Sequence, residues 1–178
     1  MTRMVALLRA VNVGGRKLPM ADLRKTCVEL GWKEVSTYIQ SGNVVFSASE
    51  KPERLEEALE KAIEEVTGLK VPVIIRTAAQ WAAYPKQLPF VEVAKESPNR
   101  LMLLLSKKKP ADAAEAAIQM RAQAGEQVLR VGDAVWIHYS DGVGTSKLTP
   151  NLIDRSIGSP ATGRNFRTVL KLEEMLSQ

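Results

Sequence analysis

Strand and helix signals follow one another in the same order twice along this chain. Apolar runs and helical periodicities predict strand, helix, strand, strand, helix and strand between residues 4 and 77, and the order begins again near residue 101. This β-α-β-β-α-β order is typical of the ferredoxin-like arrangement. The sequence therefore predicts an α+β fold of two ferredoxin-like halves in tandem with an added C-terminal helix. One larger mixed sheet is the alternative.

The two halves are predicted at residues 1–84 and 99–178, joined by a connector over residues 85–98 in which three prolines interrupt regular structure. In the first half we expect strands over Met4–Val13, Val35–Gln40, Val44–Ser47 and Val71–Thr77, and helices from Pro19 to Gly31 and from Pro52 to Gly68. In the second half we expect strands over Leu101–Ser106, Gln127–Val131, Ala134–Tyr139 and Ala161–Phe166, helices over residues 110–124 and 149–158, and a terminal helix containing Val169 and Leu176.

Composition narrows the class of protein. No apolar run approaches the roughly 18 residues that a membrane helix needs, and no signal-peptide pattern is present, so we expect a cytoplasmic protein without membrane contact. The net charge of +5 is concentrated, since residues 1–33 carry seven Lys or Arg against two acidic residues. A basic surface attracts anionic partners, although such a charge also serves solubility alone.

Two loops are expected to meet at one edge of the first sheet. The loop after the first strand has paired glycines followed by Arg16 and Lys17, which favours an anion. The hairpin after the second strand offers uncharged polar side chains. The alternative is a tight turn and an ordinary hairpin without a ligand. The candidate binding residues here are Arg9, Asn12, Gly14, Gly15, Arg16, Lys17, Tyr38, Gln40, Ser41 and Asn43.

Two further polar clusters lie in the second half. The first runs from Gly142 to Lys147, and the second runs from Thr162 to Thr168 and is followed by Lys171. Arg164, Arg167 and Lys171 would share one face of a helix that began early enough, and a solvated basic face is the default interpretation. The candidate binding residues are Ser146, Lys147, Arg164, Asn165 and Arg167. We expect Gly14, Ser41 and Arg164 to reach a common rim.

Other reactive residue types offer little chemistry. The single cysteine, Cys27, falls on the apolar face of a predicted helix, which favours a buried thiol over a nucleophile. The single histidine, His138, is predicted as a surface or packing residue on a strand, and no metal site is expected. The glutamates of residues 53–65 are expected on the exposed face of the second helix.

Several segments carry a family resemblance. They are Arg9–Gly15, Pro19-Met20 with Leu23, Thr37–Val44, Ser146-Lys147, and Ala161–Val169 with Lys171-Leu172. With these motifs the chain resembles the bacterial family called domain of unknown function 1697. The resemblance implies a duplicated ferredoxin-like α+β fold and supplies no reaction or cofactor. Gly163 and Phe166 depart from the usual alanine and tryptophan, which bears on packing of the last segment.

Three functions remain open from the sequence. The first is a module that binds a phosphate-bearing small molecule, such as a nucleotide, or a nucleic-acid backbone through the loop residues. The second is a structural or interaction role, in which the polar loop residues clamp the two halves. The third is a group- or phosphoryl-transfer enzyme that uses neither metal nor histidine. The cofactor, if there is one, stays unknown.

Overall fold

The computed structural model describes all 178 residues, which form two compact units. The first unit comprises Met1–Ala82 together with Leu172–Gln178, and the second comprises Ala83–Lys171. The chain has two four-stranded sheets, and every pair of neighbouring strands is antiparallel. The α+β class is therefore confirmed, with two sheets rather than one larger mixed sheet.

The first unit places the ends of β1 and β2 at the same edge of its sheet. In chain order its elements are β1 (Thr2–Leu8), α1 (Met20–Glu29), β2 (Lys33–Tyr38), β3 (Asn43–Ala48), α2 (Pro52–Thr67), β4 (Val73–Thr77) and the start of α3 (Ala78–Lys86). The strand order is β2-β3-β1-β4. Because Leu7 pairs with Asn43, the loop after β1 and the turn between β2 and β3 emerge side by side.

Helices α1 and α2 pack on one face of this sheet. In α2 the side chains of Leu55, Leu59 and Ile63 recur at every fourth position and are buried in one apolar cluster with the sheet, as the periodicity predicts. Gly68 ends α2 with a left-handed φ of +71°, which glycine adopts without steric cost. Cys27 of α1 lies in the same cluster.

The second unit repeats the element order. It contains the end of α3, then α4 (Val91–Glu96), β5 (Leu101–Ser106), α5 (Ala114–Gln119), β6 (Gln127–Val131), β7 (Ala134–His138), α6 (Pro150–Ile157), β8 (Ala161–Asn165) and most of α7 (Phe166–Leu176). Its strand order is β6-β7-β5-β8. Helices α5 and α6 bury Ile118 and Ile153 in one apolar cluster with this sheet. No helix of the chain combines the length and apolar character that crossing a bilayer requires.

Some elements differ from the sequence prediction. Strand β1 ends at Leu8 rather than Val13, because Ala10 and Asn12 take left-handed φ angles of +54° and +56° that a strand cannot accommodate. The segment expected to be an irregular connector contains the short helix α4. Helix α5 is confined to Ala114–Gln119, well within the predicted residues 110–124.

Helix side chains cap the outer edge of three strands. On β4, the N–H of Ile75 donates to Oε1 of Glu56 at 2.7 Å, and the N–H of Val73 donates to Oε1 of Glu60 at 2.8 Å. Helices α5 and α6 provide similar acceptors to β6 and β8. The expectation that all these α2 glutamates face solvent is wrong for Glu56, which is buried. Capped N–H groups cannot pair with another chain, so the edges are protected.

We expect Glu56→Met to lower the free energy of unfolding by about 1–3 kcal/mol, because it leaves the buried Ile75 N–H without its acceptor. Urea unfolding at neutral pH measures the change. Glu57→Met is the matched control, since Glu57 is the next residue of the same helix and is exposed. Equal losses in the two variants would show that the cap on β4 contributes nothing.

Candidate functional site

A cleft lies where β1 ends in the first unit. The N–H of Leu8, the last residue of β1, donates to the carbonyl of Gly42 at 2.8 Å. Gly42 has a φ of +82°, and a Cβ atom there would lie 2.7 Å from both Leu8 Cβ and Val11 Cγ2. Only glycine therefore lets the turn over residues 39–42 lie directly against the chain that leaves β1.

The side chain of Asn12 joins the two loops that border this cleft. Its Nδ2 donates to the carbonyl of Gln40 at 2.8 Å and to the carbonyl of Leu18 at 2.9 Å, and its Oδ1 accepts from the N–H of Leu18 at 2.9 Å. The prediction that the loop after β1 and the β2–β3 turn meet at one sheet edge is confirmed. Asn12 thus uses both amide protons to organise backbone.

Two basic side chains, Arg16 and Lys17, lie beside this bridge, and only the first is held by hydrogen bonds. Arg16 is half-buried, and its Nε and Nη2 donate to the carbonyls of Ala10 at 3.1 Å and Lys70 at 2.8 Å. Its Nη1 has no acceptor in the protein. Lys17 is exposed and takes part in no hydrogen bond or ion pair. The cleft therefore offers one oriented guanidinium and one exposed, unpaired ammonium group.

The cleft has a volume of about 450 Å³. Its lining contains two basic side chains and no carboxylate, and Pro19 and Met20 provide apolar wall. A cavity of this size suits a small organic molecule, and its uncompensated positive charge favours an anionic one. The lining residues are Asn12, Gly15, Arg16, Lys17, Pro19, Met20 and Gln40.

The other candidates from these loops lie outside the lining. Asn43 is fully buried, and its Nδ2 donates to the carbonyl of Tyr38 at 2.9 Å and to Oγ of Ser41 at 3.0 Å. These bonds close the β2–β3 turn. The side chains of Arg9 and Tyr38 are half-exposed, and Gly14 is exposed at the loop tip. The structure thus brings five of the ten candidates from these two loops into one cleft lining.

Comparison with known proteins identifies the family. A model of the family described as "Protein of unknown function (DUF1697)" matches residues 1–136. The chain belongs to this DUF1697 family. The match confirms the resemblance given by the motifs, and it includes both loops of the cleft. The motif residues after position 136 lie beyond the matched range.

A solved structure shares the fold of this DUF1697 chain. It is a conserved bacterial protein from Streptococcus pneumoniae, with 24% sequence identity and a TM-score of 0.75. The comparison covers 100% of this chain and 99% of that chain. At this identity the likeness concerns the fold alone. No curated protein matches the chain in sequence.

In the second unit of the DUF1697 chain, Ser146 binds a carboxylate that sequence reasoning missed. Its hydroxyl donates to Oε1 of Glu126, whose Oε2 accepts the N–H of Ala124 at 2.8 Å. Burial opposes ionisation of Glu126, but these hydrogen bonds outweigh it and hold the pKa of the carboxyl below its ordinary value. Because 20 residues separate the partners, no local spacing indicates the pair. Ser146 thus anchors its loop, while Lys147 is exposed.

The third polar cluster is divided between a strand and a helix. Arg164 lies on β8, so it cannot share a helix face with Arg167 and Lys171, because α7 begins at Phe166. Arg164 is only 6% exposed, and its Nη1 donates to Oγ1 of Thr162 and to the carbonyl of Gly163, both at 2.8 Å. Burial lowers the pKa of its guanidinium to about 10.

The remaining cluster residues lie at the start of α7. Asn165 Oδ1 accepts the N–H of Thr168 at 3.0 Å, which caps the first turn of α7, and Arg167 is exposed. Gly14 and Ser41 belong to the first unit, and Arg164 belongs to the second.

The cysteine and the histidine lie apart from the cleft lining. Cys27 is buried in the first core, and burial raises the pKa of its thiol to about 12, so it stays protonated at neutral pH. His138 is half-exposed, with Nδ1 3.5 Å from Oε1 of Gln127. No group of three or more His, Cys, Asp or Glu side chains is arranged to hold a metal ion.

We expect Ser146→Ala to destabilise the protein by about 1–2 kcal/mol at neutral pH and by much less near pH 3. The folded-state pKa of Glu126 is lowered, so the stabilisation is present above the unfolded-state pKa and is lost as the pH falls through the folded-state pKa. Urea unfolding at both pH values measures the difference.

Ser156→Ala is the control for this experiment, because the Ser156 hydroxyl donates to the carbonyl of Leu152 and to no ionisable group. Its effect should not change with pH. A Ser146→Ala effect of the same size at both pH values would contradict the assigned role of the carboxylate.

Proposed function

We propose that this DUF1697 chain binds a phosphate-bearing small molecule in the cleft lined by Arg16 and Lys17. The cleft holds two cations and no carboxylate. Arg16 is oriented by two backbone carbonyls, and Lys17 is without a protein partner. Guanidinium and ammonium groups that lack a protein anion form strong charge-assisted hydrogen bonds to phosphate oxygens.

Backbone strain concentrated around this cleft carries the proposal. Four residues other than glycine have a positive φ, and Ala10, Asn12 and Ile39 are three of them. Ala10 accepts the Arg16 bond, Asn12 makes the bridge, and Ile39 precedes Gln40 in the turn. A left-handed β-branched residue costs about 1–3 kcal/mol, and Ile39 is 51% exposed, so little packing offsets that cost. Backbone strain that is not compensated by packing is typical of ligand-binding sites.

The second unit supplies an internal comparison. A cleft of about 420 Å³ lies between the loop after β5 and the β6–β7 turn, lined in part by Lys109, Asp112 and Arg130. There Nη1 of Arg130 lies 3.2 Å from Oδ1 of Asp112, and a second carboxylate, Glu115, also lines the cleft. In this second cleft the two basic side chains are therefore balanced by two carboxylates. Of these two clefts, the unbalanced one in the first unit is the favoured anion site.

A nucleotide fits this cleft better than a nucleic-acid backbone. Only two cations line it, whereas polyanion binding is driven by many phosphate contacts that each release counterions. The walls of Pro19 and Met20 offer apolar contact to a base, which inorganic phosphate cannot use.

The topology of both units supports a ferredoxin-like assignment. We propose that each unit is ferredoxin-like, because strand orders β2-β3-β1-β4 and β6-β7-β5-β8, with helices after the first and third strands, agree with the split βαβ arrangement.

A structural role is the second candidate for the residues of the second unit. Arg164 is buried and donates to Thr162 and Gly163, and Ser146 binds Glu126. Because Arg164 is almost fully buried and the Ser146 hydroxyl donates to a buried carboxylate, both side chains serve the fold rather than a ligand. We propose that Arg164 and Ser146 stabilise the fold, whereas Arg16 and Lys17 form the phosphate-binding site.

The test is to measure ATP binding at two salt concentrations, by titration calorimetry and by the shift in melting temperature. We expect saturable binding with a weak salt slope, and a Lys17→Ala variant that binds about 10-fold more weakly, since one charge-assisted bond contributes about 1.5 kcal/mol. Lys51→Ala is the matched control, because Lys51 is also exposed and unpaired in the first unit. Lys109→Ala tests the cleft of the second unit in the same way.

Absence of saturable binding, or an equal loss in all three lysine variants, would contradict the proposed site. Arg164→Ala separates the two roles in the same titration. A lower melting temperature with unchanged ATP affinity would support a structural role for Arg164. An unchanged melting temperature with lost ATP affinity would instead support a role for Arg164 in ligand binding.

A further inference from the structure

A further cleft, of about 490 Å³, lies between helices α5 and α6 of the second unit, which pack against one another. On one side, this α5–α6 cleft is lined by Ala117 of α5 and by Arg121 in the turn that follows α5. On the other side, Leu152, Arg155 and Ser156 of α6 belong to the lining. None of these residues takes part in the proposed phosphate-binding site.

The α5–α6 cleft carries two positive charges and no negative charge. Arg121 and Arg155 both line it, and no carboxylate belongs to the lining. The two residues are exposed, and neither side chain makes a hydrogen bond or an ion pair within the protein. Because two like charges that share a cleft repel one another, an anion that enters the cleft relieves an unfavourable interaction.

The sequence around the two arginines supplies no counter-ion. Ion pairs on a helix form between residues three or four positions apart, and no residue at that distance from Arg121 or Arg155 is acidic. Elsewhere in the chain such partners are present, since Lys25, Lys61 and Lys95 each pair with a glutamate at this spacing. The guanidinium groups of the α5–α6 cleft are therefore available to a ligand.

The rest of the lining favours a ligand with an apolar middle part. Ala117 and Leu152 are half-buried aliphatic side chains, one from each side of the cleft. The hydroxyl of Ser156 already donates to the carbonyl of Leu152 at 2.9 Å, and Oγ1 of Thr149 accepts the N–H of Leu152 at 3.3 Å. These two hydroxyl groups stabilise α6, so the charged donors for a ligand are the two arginines.

We propose that the α5–α6 cleft binds a small aliphatic dicarboxylate, with one carboxylate on Arg121 and the other on Arg155. The apolar chain between the carboxylates contacts Ala117 and Leu152. A planar guanidinium group matches a carboxylate, to which it donates two parallel hydrogen bonds. Because the two guanidinium groups repel one another, a ligand with two separated charges suits them better than one compact anion. The site is independent of the phosphate-binding cleft.

Glutarate and pentanoate are matched probes, because both have a chain of five carbons and only glutarate has a carboxylate at each end. The full chain is titrated with each at neutral pH. Binding is followed by the backbone amide signals of Ala117 and Leu152 in a nitrogen–proton correlation spectrum. We expect saturable shifts with glutarate, and we expect pentanoate to bind about 10-fold more weakly because it lacks one charge-assisted contact.

Arg121→Gln and Arg155→Gln each remove one guanidinium group from an exposed position, so the fold should be retained. Each variant should bind glutarate about 10-fold more weakly than the unaltered chain does. Arg54→Gln is the matched control, because Arg54 is an exposed, unpaired arginine of α2. Arg54→Gln and Lys17→Ala should both leave glutarate binding unchanged, the latter because Lys17 belongs to the other cleft.

Four results would each overturn the proposal. They are the absence of saturable shifts, equal affinity for glutarate and pentanoate, equal losses in Arg54→Gln and the two cleft variants, and loss of glutarate binding in Lys17→Ala. Inorganic phosphate is titrated as a compact anion, and tighter binding of phosphate than of glutarate at the Ala117 and Leu152 amides would also contradict a dicarboxylate site.

Discussion

The carboxamide of Asn12 is the interaction on which the candidate site depends. It forms hydrogen bonds with the carbonyl of Gln40 and with the N–H and the carbonyl of Leu18. A single side chain therefore holds the loop after β1 to the β2–β3 turn and also joins the two ends of that loop. Without it, the loop that carries Arg16 and Lys17 would keep the Arg16 side-chain bonds to the carbonyls of Ala10 and Lys70 and the local bond from the Arg16 N–H to the carbonyl of Val13. A loop held by several directed bonds loses less conformational entropy when it binds a ligand.

The two units share one element order but have clefts of different charge, and the turns beside these clefts differ in length. The first unit joins β2 to β3 through residues 39–42, which reach the loop after β1. The second unit joins β6 to β7 through the two residues Gly132 and Asp133. Its cleft contains the Arg130–Asp112 ion pair together with Lys109 and Glu115, so the basic and acidic side chains balance. Between these loops, the first unit therefore retains an unbalanced positive cleft while the second unit does not.

Much of this fold is predictable from the sequence because burial imposes periodicity. The spacing of Leu55, Leu59 and Ile63 predicts α2, and the Gly132-Asp133 signal predicts the β6–β7 turn, which the structure confirms. The meeting of the two cleft loops also follows from element order. It requires no knowledge of side-chain contacts.

The positions that escaped prediction are polar groups buried by distant partners. Glu56 resembles its exposed neighbours on α2 until the edge of β4 is placed beside it. The role of Glu126 follows only from its hydrogen bond to Ser146, which lies 20 residues further along the chain. The left-handed conformation of Ile39 likewise has no signal in the sequence, because β-branched residues disfavour it.

Hydrogen exchange at the Leu18 amide measures the organising role of Asn12 most directly. Asn12→Gly removes the carboxamide and leaves the left-handed φ unstrained, so it isolates the side-chain bonds. We predict that the Leu18 N–H exchanges at least about 10-fold faster in this variant, while the Val5 amide in β1 keeps its protection. Unchanged protection of Leu18 would show that the loop is ordered by other contacts and would contradict the account.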